Sequence, residues 1–363
     1  MAILLEQCKI SPPSNMTGEC SLPIVFFDMF WYNLVASQSV LFFKFPCSKS
    51  HFLEVIVPDL KKSLSSTLGQ FLPLAGNIIH PLPLNPENKP ILSYLPGDSV
   101  CLTVSESESD FNHLTGNHPR VSDDFYDFAP NLPPATHSDN STTCPVLALQ
   151  VTLFPGQGIC IGFVTHHVVA DASTVLSFMK AWALINSQLD STEITRLMEA
   201  NCCLPFYDRK TVVGINGLDS LYWDLIVKLS CPIEPPRMKF PIGKVRSTFV
   251  LKKDEIQKLK KFVSAKRPQI LHGAQNWVEE EGKLVGKRRF RVAGSPMFDF
   301  YGTDFGWGRP NKVEALFVHG DGSMFLCNSG QFEGGLEIGL SKPKAEMQTF
   351  TEVFNMVLTD LLL

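Results

Sequence analysis

Gly158-Ile159-Cys160-Ile161-Gly162-Phe163-Val164-Thr165-His166-His167-Val168-Val169-Ala170-Asp171-Ala172-Ser173-Thr174 passes from one structural period to another. Residues 159–164 are rich in Ile, Val and Phe, the composition of a buried strand. From Val175 the apolar positions become Val175, Phe178, Met179, Trp182 and Ile185, the spacing of one helix face. The turn between carries His167 and Asp171, four residues apart. Turns at the ends of rigid strands are where scaffolds expose reactive side chains. Upstream, Val146 to Thr152 alternates as a strand, and Pro155-Gly156-Gln157-Gly158 reads as the hairpin turn into the buried strand.

Working towards the N-terminus, Val25-Phe26-Phe27 and Val40 to Phe45 read as strands. Leu53, Val57, Leu60, Leu64 and Leu68 predict a helix over 51–70, broken by Phe71 to Asn77 with its Pro and Gly. Residues 88–104 predict strand and turn, and Ser105 to Thr143 an exposed, Pro-rich loop region. Towards the C-terminus, residues 187–245 have little periodicity and many prolines, as a crossover would. Ser247 to Leu251 then predicts a strand, followed by a helix capped by Asp254 with Ile256, Leu259, Phe262 and Val263 on one face. Residues 275–285 read as helical. Val313 to Val318 and Ser323 to Cys327 flank Gly320-Asp321-Gly322 as a hairpin. Leu336 to Leu340 predicts a strand and Lys344 to Leu358 a closing helix. Strands and helices mix in both halves, so the class is α/β or α+β.

With 363 residues, 44% of them hydrophobic and 19% charged, the chain can build two ordinary domain cores. A net charge of −4 gives no reason to expect a nucleic-acid partner. No apolar run approaches the roughly 18 residues of a membrane helix. Residues 1–12 carry Glu6 and Lys9 around too short an apolar run for a signal peptide. The ten cysteines are scattered without a CxxC, which fits free thiols in a reducing compartment and no zinc site. A cytoplasmic protein is the expectation.

A histidine at the end of a buried strand can serve as a general base, its unperturbed pKa lying near 6.5. A hydrogen-bonded core histidine competes with that reading of His167. Neighbours on a strand point to opposite faces, so His166 and His167 do not readily share a site, which argues against a metal held with Asp171. Asp171 precedes the helix, where a carboxylate caps free N–H groups. Asp304-Phe305-Gly306-Trp307-Gly308 offers no acid, base or nucleophile and reads as a tight packed loop. Lys287, Arg288, Arg289 and Arg291 could bind an anion, but a solvated face explains them better.

His167-Val168-Val169-Ala170-Asp171 matches HxxxD and Asp304 to Gly308 matches DFGWG, in that order. Together they resemble the BAHD family of plant acyl-CoA-dependent acyltransferases. The likeness extends through Phe71 to Asn77, Pro145 to Thr174, Pro205 to Arg209 and Lys287 to Pro310, and is strongest to malonyltransferases of phenolic, flavonoid or anthocyanin glucosides. It implies two chloramphenicol-acetyltransferase-like domains, each a mixed sheet with helices: 1–200 with HxxxD, a crossover over 201–245, and 246–363 with DFGWG. It implies His167 as general base on an acceptor hydroxyl, facing a channel. Asp171 would be structural and point away from that channel. Asp304, Phe305, Gly306, Trp307 and Gly308 would form a structural loop shaping the domain interface and the CoA side. The co-substrate would be malonyl-CoA or another acyl-CoA, the acceptor a glycosylated phenol, with no bound cofactor or metal, in a monomer. Near 269–271 this chain lacks a block that members carry, including an arginine that pairs with the DFGWG aspartate and a YFGN-type segment. The second domain is thus expected to be incomplete. A defective or non-catalytic relative that retains only ligand or partner binding is the alternative to an active enzyme.

Overall fold

The computed structural model describes residues 1–14, 18–29, 31–32, 36–83, 85, 87–187, 192, 196–198, 204–209, 217–228, 242–264, 292–294, 296–316 and 323–362. The first half forms β1 (Ala2–Ile10), β2 (Cys20–Pro23), α1 (Phe26–Met29), β3 (Ser37–Phe43), α2 (Lys49–His51), α3 (Val57–Gln70), α4 (Leu72–Ala75), β4 (Asn77–Pro81), β5 (Ile91–Tyr94) and β6 (Val100–Ser107). It continues with α5 (Phe111–Thr115), β7 (Arg120–Val121), β8 (Thr136–His137), β9 (Ser141–Pro145), β10 (Leu147–Phe154), β11 (Gly158–Thr165) and α6 (Ala172–Asn186). Then follow α7 (Leu218–Lys228), β12 (Lys244–Leu251), α8 (Lys253–Ser264), β13 (Val292–Gly294), β14 (Lys312–Ala315), β15 (Met324–Asn328), β16 (Leu336–Pro343) and α9 (Lys344–Leu362).

Contacts divide the chain into two compact units. One comprises Met1–Thr115, Tyr126–Lys239 and Phe300–Phe317, the other Gly116–Phe125, Phe240–Asp299 and Val318–Leu363. The units interleave in sequence and do not follow the contiguous ranges 1–200 and 246–363. Segment 300–317, with Asp304 to Gly308, belongs to the first unit, and 116–125 to the second.

The first unit holds a six-stranded sheet in the order β1-β6-β10-β11-β3-β14 and a five-stranded sheet, β2-β5-β4-β9-β8. β10 and β11 are a hairpin, with Leu147 opposite Thr165 and Phe154 opposite Gly158. Every residue of both is buried, polar ones included. Val146 to Thr152 therefore does not alternate between core and solvent as expected. Gln150 is instead satisfied inside, donating Nε2 to the Asp127 carbonyl at 2.7 Å. Such strands are covered on both faces, which fully apolar runs predict better than alternation does.

Ser105 to Thr143 is not the exposed loop that its polar composition suggested. It contains α5, three short strands and buried Phe111, Phe125 and Phe128. Phe111 and Phe128 join Phe42 and Phe154, with ring centroids 5.2–6.0 Å apart. The aromatic area buried there outweighs the polar composition around it. Gly162 permits this closure, since a Cβ there would lie 2.0 Å from the Phe128 carbonyl oxygen.

Val25-Phe26-Phe27 is likewise not a strand but leads into α1. The Asp28 carboxylate accepts from Val25 N–H at 2.9 Å, and Asp219 accepts from Phe26 N–H at 2.7 Å. Side chains thus satisfy N–H groups that a strand would have paired across a sheet.

The second unit holds a five-stranded sheet, β13-β15-β16-β12-β7. Phe249 of β12 packs on Phe350 and Phe354 of α9, ring centroids 5.2 and 4.9 Å away. The expected hairpin of 313–318 with 323–327 does not form. β14 pairs antiparallel with β3, whereas β15 pairs with β13 and β16. Sheet partners distant in sequence override the local Gly-Asp-Gly turn signal. Asp254 lies within the first turn of α8, and it is Glu255 that reaches back to accept from Lys252 N–H at 2.6 Å. The expected turn at 320–322, the helix at 275–285, Lys287, Arg288, Arg289 and Arg291, and the shortening near 269–271 lie outside the described residues.

Candidate active site

β11 ends at Thr165, and His166 N–H continues the hairpin by donating to the Val146 carbonyl at 2.9 Å. The chain then turns, with Val169 N–H donating to His166 O at 3.0 Å. His166 is 1% exposed. Its Nδ1 accepts from Val168 N–H at 3.2 Å, so in the neutral ring the proton sits on Nε2. Burial, then the neighbouring His167, pushes His166 down to about 4. His80 of β4 is also fully buried, with Nδ1 2.7 Å from the Tyr32 hydroxyl. Burial, then the charge of His166, pushes it down to about 3. Two of the three histidines here are therefore neutral core groups at neutral pH.

His167 differs from both. It is half-buried, and its ring stacks on Trp31 with centroids 4.3 Å apart and planes 8° from parallel. Its Nδ1 is buried and has no hydrogen-bond partner among the described residues. Adjacent positions in the sequence thus yield one core histidine, which extends the hairpin past β11, and one partly open histidine in the turn that follows. Among the described residues no His, Cys, Asp or Glu cluster could hold a metal ion.

Asp171 is exposed and caps α6, its Oδ1 accepting from Thr174 N–H at 2.8 Å. Asp304 is also exposed, and its Oδ1 accepts from Gly306 N–H at 2.8 Å and Gly308 N–H at 2.9 Å. Both glycines hold left-handed φ, +89° and +87°. Phe305 is 1% exposed, edge-on to Trp182 at 5.1 Å and stacked with Trp307 at 5.3 Å. Trp307 in turn stacks on Phe45 at 5.7 Å. The two motifs share one unit but not one place. Asp171 starts α6, and Phe305 packs on residues of its last two turns.

Segment 204–209 fastens α1. Tyr207 donates to the Gln70 carbonyl at 3.0 Å, and Arg209 donates to the Pro23 carbonyl at 2.9 Å and pairs with Asp28. A cavity of about 250 Å³ lies beside the turn between β11 and α6, lined by Val169, Ser173, Thr174 and Ser177 with Tyr207 and Arg209.

The profile of the Transferase family matches residues 5–269 and 253–357. The malonyl-coenzyme:anthocyanin 5-O-glucoside-6'''-O-malonyltransferase of Salvia splendens is 34% identical, over 97% of this chain and 94% of that protein. Phenolic glucoside malonyltransferase 1 of Nicotiana tabacum is 32% identical, over 90% and 92%. A coumaroyl-CoA:anthocyanidin 3-O-glucoside-6''-O-coumaroyltransferase of Arabidopsis thaliana is 36% identical, over 96% of each.

The chain belongs to the BAHD acyltransferases. Members use an acyl-CoA as co-substrate. Its fold is that of vinorine synthase, with TM-score 0.63 at 16% identity over 96% of each chain, and of TRI101 from F. graminearum, with TM-score 0.60 at 11% identity over 92% and 97%. Both units are thus the mixed α/β architecture related to chloramphenicol acetyltransferase. The alignment to the Salvia enzyme spans 440 positions against 363 residues here, so at least 77 of its positions face a gap. The family match falls in two overlapping stretches, the first ending at 269 and the second beginning at 253.

Reading the sequence of this BAHD chain misses three residues around His167, namely Trp31, Tyr32 and His80. The aromatic richness of residues 25–32 is a signal that could have found the first two. The partner of Tyr32 lies 48 residues away, which no local pattern reports.

Proposed function

We propose that this chain transfers an acyl group, malonyl in the first instance, from acyl-CoA to a sugar hydroxyl of a phenolic or flavonoid glucoside. The acyl group and acceptor follow the names of its relatives, which include malonyl- and coumaroyltransferases acting on glucosides. The observation that carries the assignment of the base is the contrast between the two histidines. His166 is sealed in the core, whereas His167 keeps part of its ring open.

Because Nδ1 of His167 is buried, Nε2 is the nitrogen that a hydroxyl can approach. The acceptor O–H gives its proton to Nε2 as its oxygen bonds to the thioester carbonyl carbon. The resulting oxyanion re-forms the carbonyl, the C–S bond breaks, and CoA leaves as thiolate and takes up a proton. The ester is the product, and no covalent acyl-enzyme forms. Asp171 and the loop Asp304 to Gly308 act structurally, as cap and packed loop.

Purified protein with malonyl-CoA and a panel of flavonoid and simple phenolic glucosides should release free CoA thiol and yield the malonyl ester. His167→Ala should lower the rate by ~10²–10⁴. Coumaroyl-CoA in parallel tests the acyl choice. A folded chain that binds acyl-CoA without turnover would favour the second reading, a non-catalytic relative. The observation on that side is the gap of at least 77 positions.

A further inference from the structure

We propose that Trp31 is the positioning residue of the histidine base, holding the His167 ring in plane and facing the charge that the ring acquires during transfer. This rests on the assignment of His167 as general base.

A general base is commonly oriented by a hydrogen bond from its second ring nitrogen. In this chain Nδ1 of His167 is buried without such a partner among the described residues. What the ring has is an indole face. The centroids are 4.3 Å apart and the planes 8° from parallel, which is parallel, offset stacking. A stacked ring cannot readily tilt out of its plane, so Trp31 sets the plane in which Nε2 points, in place of an acceptor at Nδ1. When Nε2 takes the hydroxyl proton, the positive imidazolium lies over the most electron-rich aromatic face available to a protein. Neutral imidazole gains less from that face than imidazolium does, so the contact strengthens as the proton moves and favours the transition state.

Trp31 is itself firmly held. Its N–H donates to the Asp28 carbonyl at 3.0 Å, closing the turn after α1. Asp28 is tied to Arg209, and Phe26 N–H to Asp219. The next residue, Tyr32, is 2% exposed and engages His80 at 2.7 Å. Two consecutive aromatics thus serve two histidines, Trp31 stacking on His167 and Tyr32 bonding His80.

The test compares wild type, Trp31→Phe and Trp31→Leu, two replacements that fill much of the same space and differ in having an aromatic face. Steady-state kinetics with malonyl-CoA and the best glucoside acceptor should show kcat reduced about tenfold or more in Trp31→Leu, with both KM values within about twofold of wild type. Trp31→Phe should recover most of that loss. Proton NMR adds a readout independent of turnover. The His167 ring protons, assigned by their loss in His167→Ala, should be shifted upfield by the indole in wild type and return downfield in Trp31→Leu. Equal kcat in the Leu and Phe variants, or a loss confined to the acceptor KM, overturns the proposal. Unchanged His167 proton shifts in Trp31→Leu overturn it as well. Wild type that shows the upfield shift but releases no CoA with any acceptor refutes the base assignment, and the proposal falls with it.

Discussion

The Asn186 side chain donates Nδ2 to the carbonyl oxygen of Phe305 at 3.0 Å, and its Oδ1 accepts from the Ser63 hydroxyl at 3.0 Å. Asn186 is the last residue of α6, whose first turn is capped by Asp171. Fifteen residues at about 1.5 Å each put roughly 22 Å between the two ends. One helix therefore separates the HxxxD turn from the DFGWG loop and fixes both.

Asn186→Ala should consequently affect stability and leave the chemistry alone. It removes a buried amide and strands the Phe305 carbonyl, which costs about 1–3 kcal/mol. Denaturant unfolding should show that loss, while kcat of the folded fraction stays near wild type. A variant of wild-type stability with a collapsed kcat would place the loop in the reaction itself.

The glycines of the same loop make a second prediction. Gly306 and Gly308 hold φ of +89° and +87°, where a side chain costs roughly 1–2 kcal/mol per residue. A Cβ at Gly308 would meet nothing within 4 Å, and one at Gly306 only the Ser187 Cα at 3.8 Å. The penalty should therefore be conformational and alike for Gly306→Ala and Gly308→Ala. A far larger loss in either, read from the melting temperature, would mean that something besides φ is being disturbed.

Much of this arrangement was legible in the sequence because it is local. The switch in period around His166-His167 marks where β11 gives way to α6, and Asp171 stands where a cap belongs. Gly306 and Gly308 announce their loop by composition. What stayed hidden depends on distant partners. β14 leaves its neighbour in sequence, β15, to pair with β3, and no turn signal at 320–322 encodes that choice. Val25 to Phe27 has strand composition, yet Asp28 and Asp219 turn it into the helix that presents Trp31. His80 looks like an ordinary strand residue until Tyr32 is seen against it.

Asp171 gives a third prediction. Among the described residues its carboxylate accepts one N–H, from Thr174. Asp171→Ala should lower stability by about 0.5–2 kcal/mol, and Asp171→Asn by much less, because asparagine caps nearly as well. Turnover measured beside melting temperature decides the role. A folded but inactive Asp171→Asn protein would contradict a purely structural aspartate.

The last prediction concerns acid. His80 and His166 are held near 3 and 4 in the folded chain, chiefly by burial, against about 6.5 when unfolded. Below pH 6.5 the unfolded chain therefore binds protons that the folded chain refuses. The neutral state of both rings contributes stability that is complete above about 6.5 and is lost as pH falls, through about 4 for His166 and about 3 for His80. Each group can contribute at most about 1.4 kcal/mol per pH unit within its window. Urea midpoints from pH 7.5 to 4.5 should fall on the acid side. His80→Phe separates the two rings. At pH 7.5 it should be less stable than wild type, because the Tyr32 hydroxyl loses its partner. Its decline with acid should nevertheless be shallower, since one of the two neutral histidines is gone. A His80→Phe protein whose acid slope matches wild type would show that His80 already shares its protonation between folded and unfolded states, and that its burial does not set the acid limit of this fold.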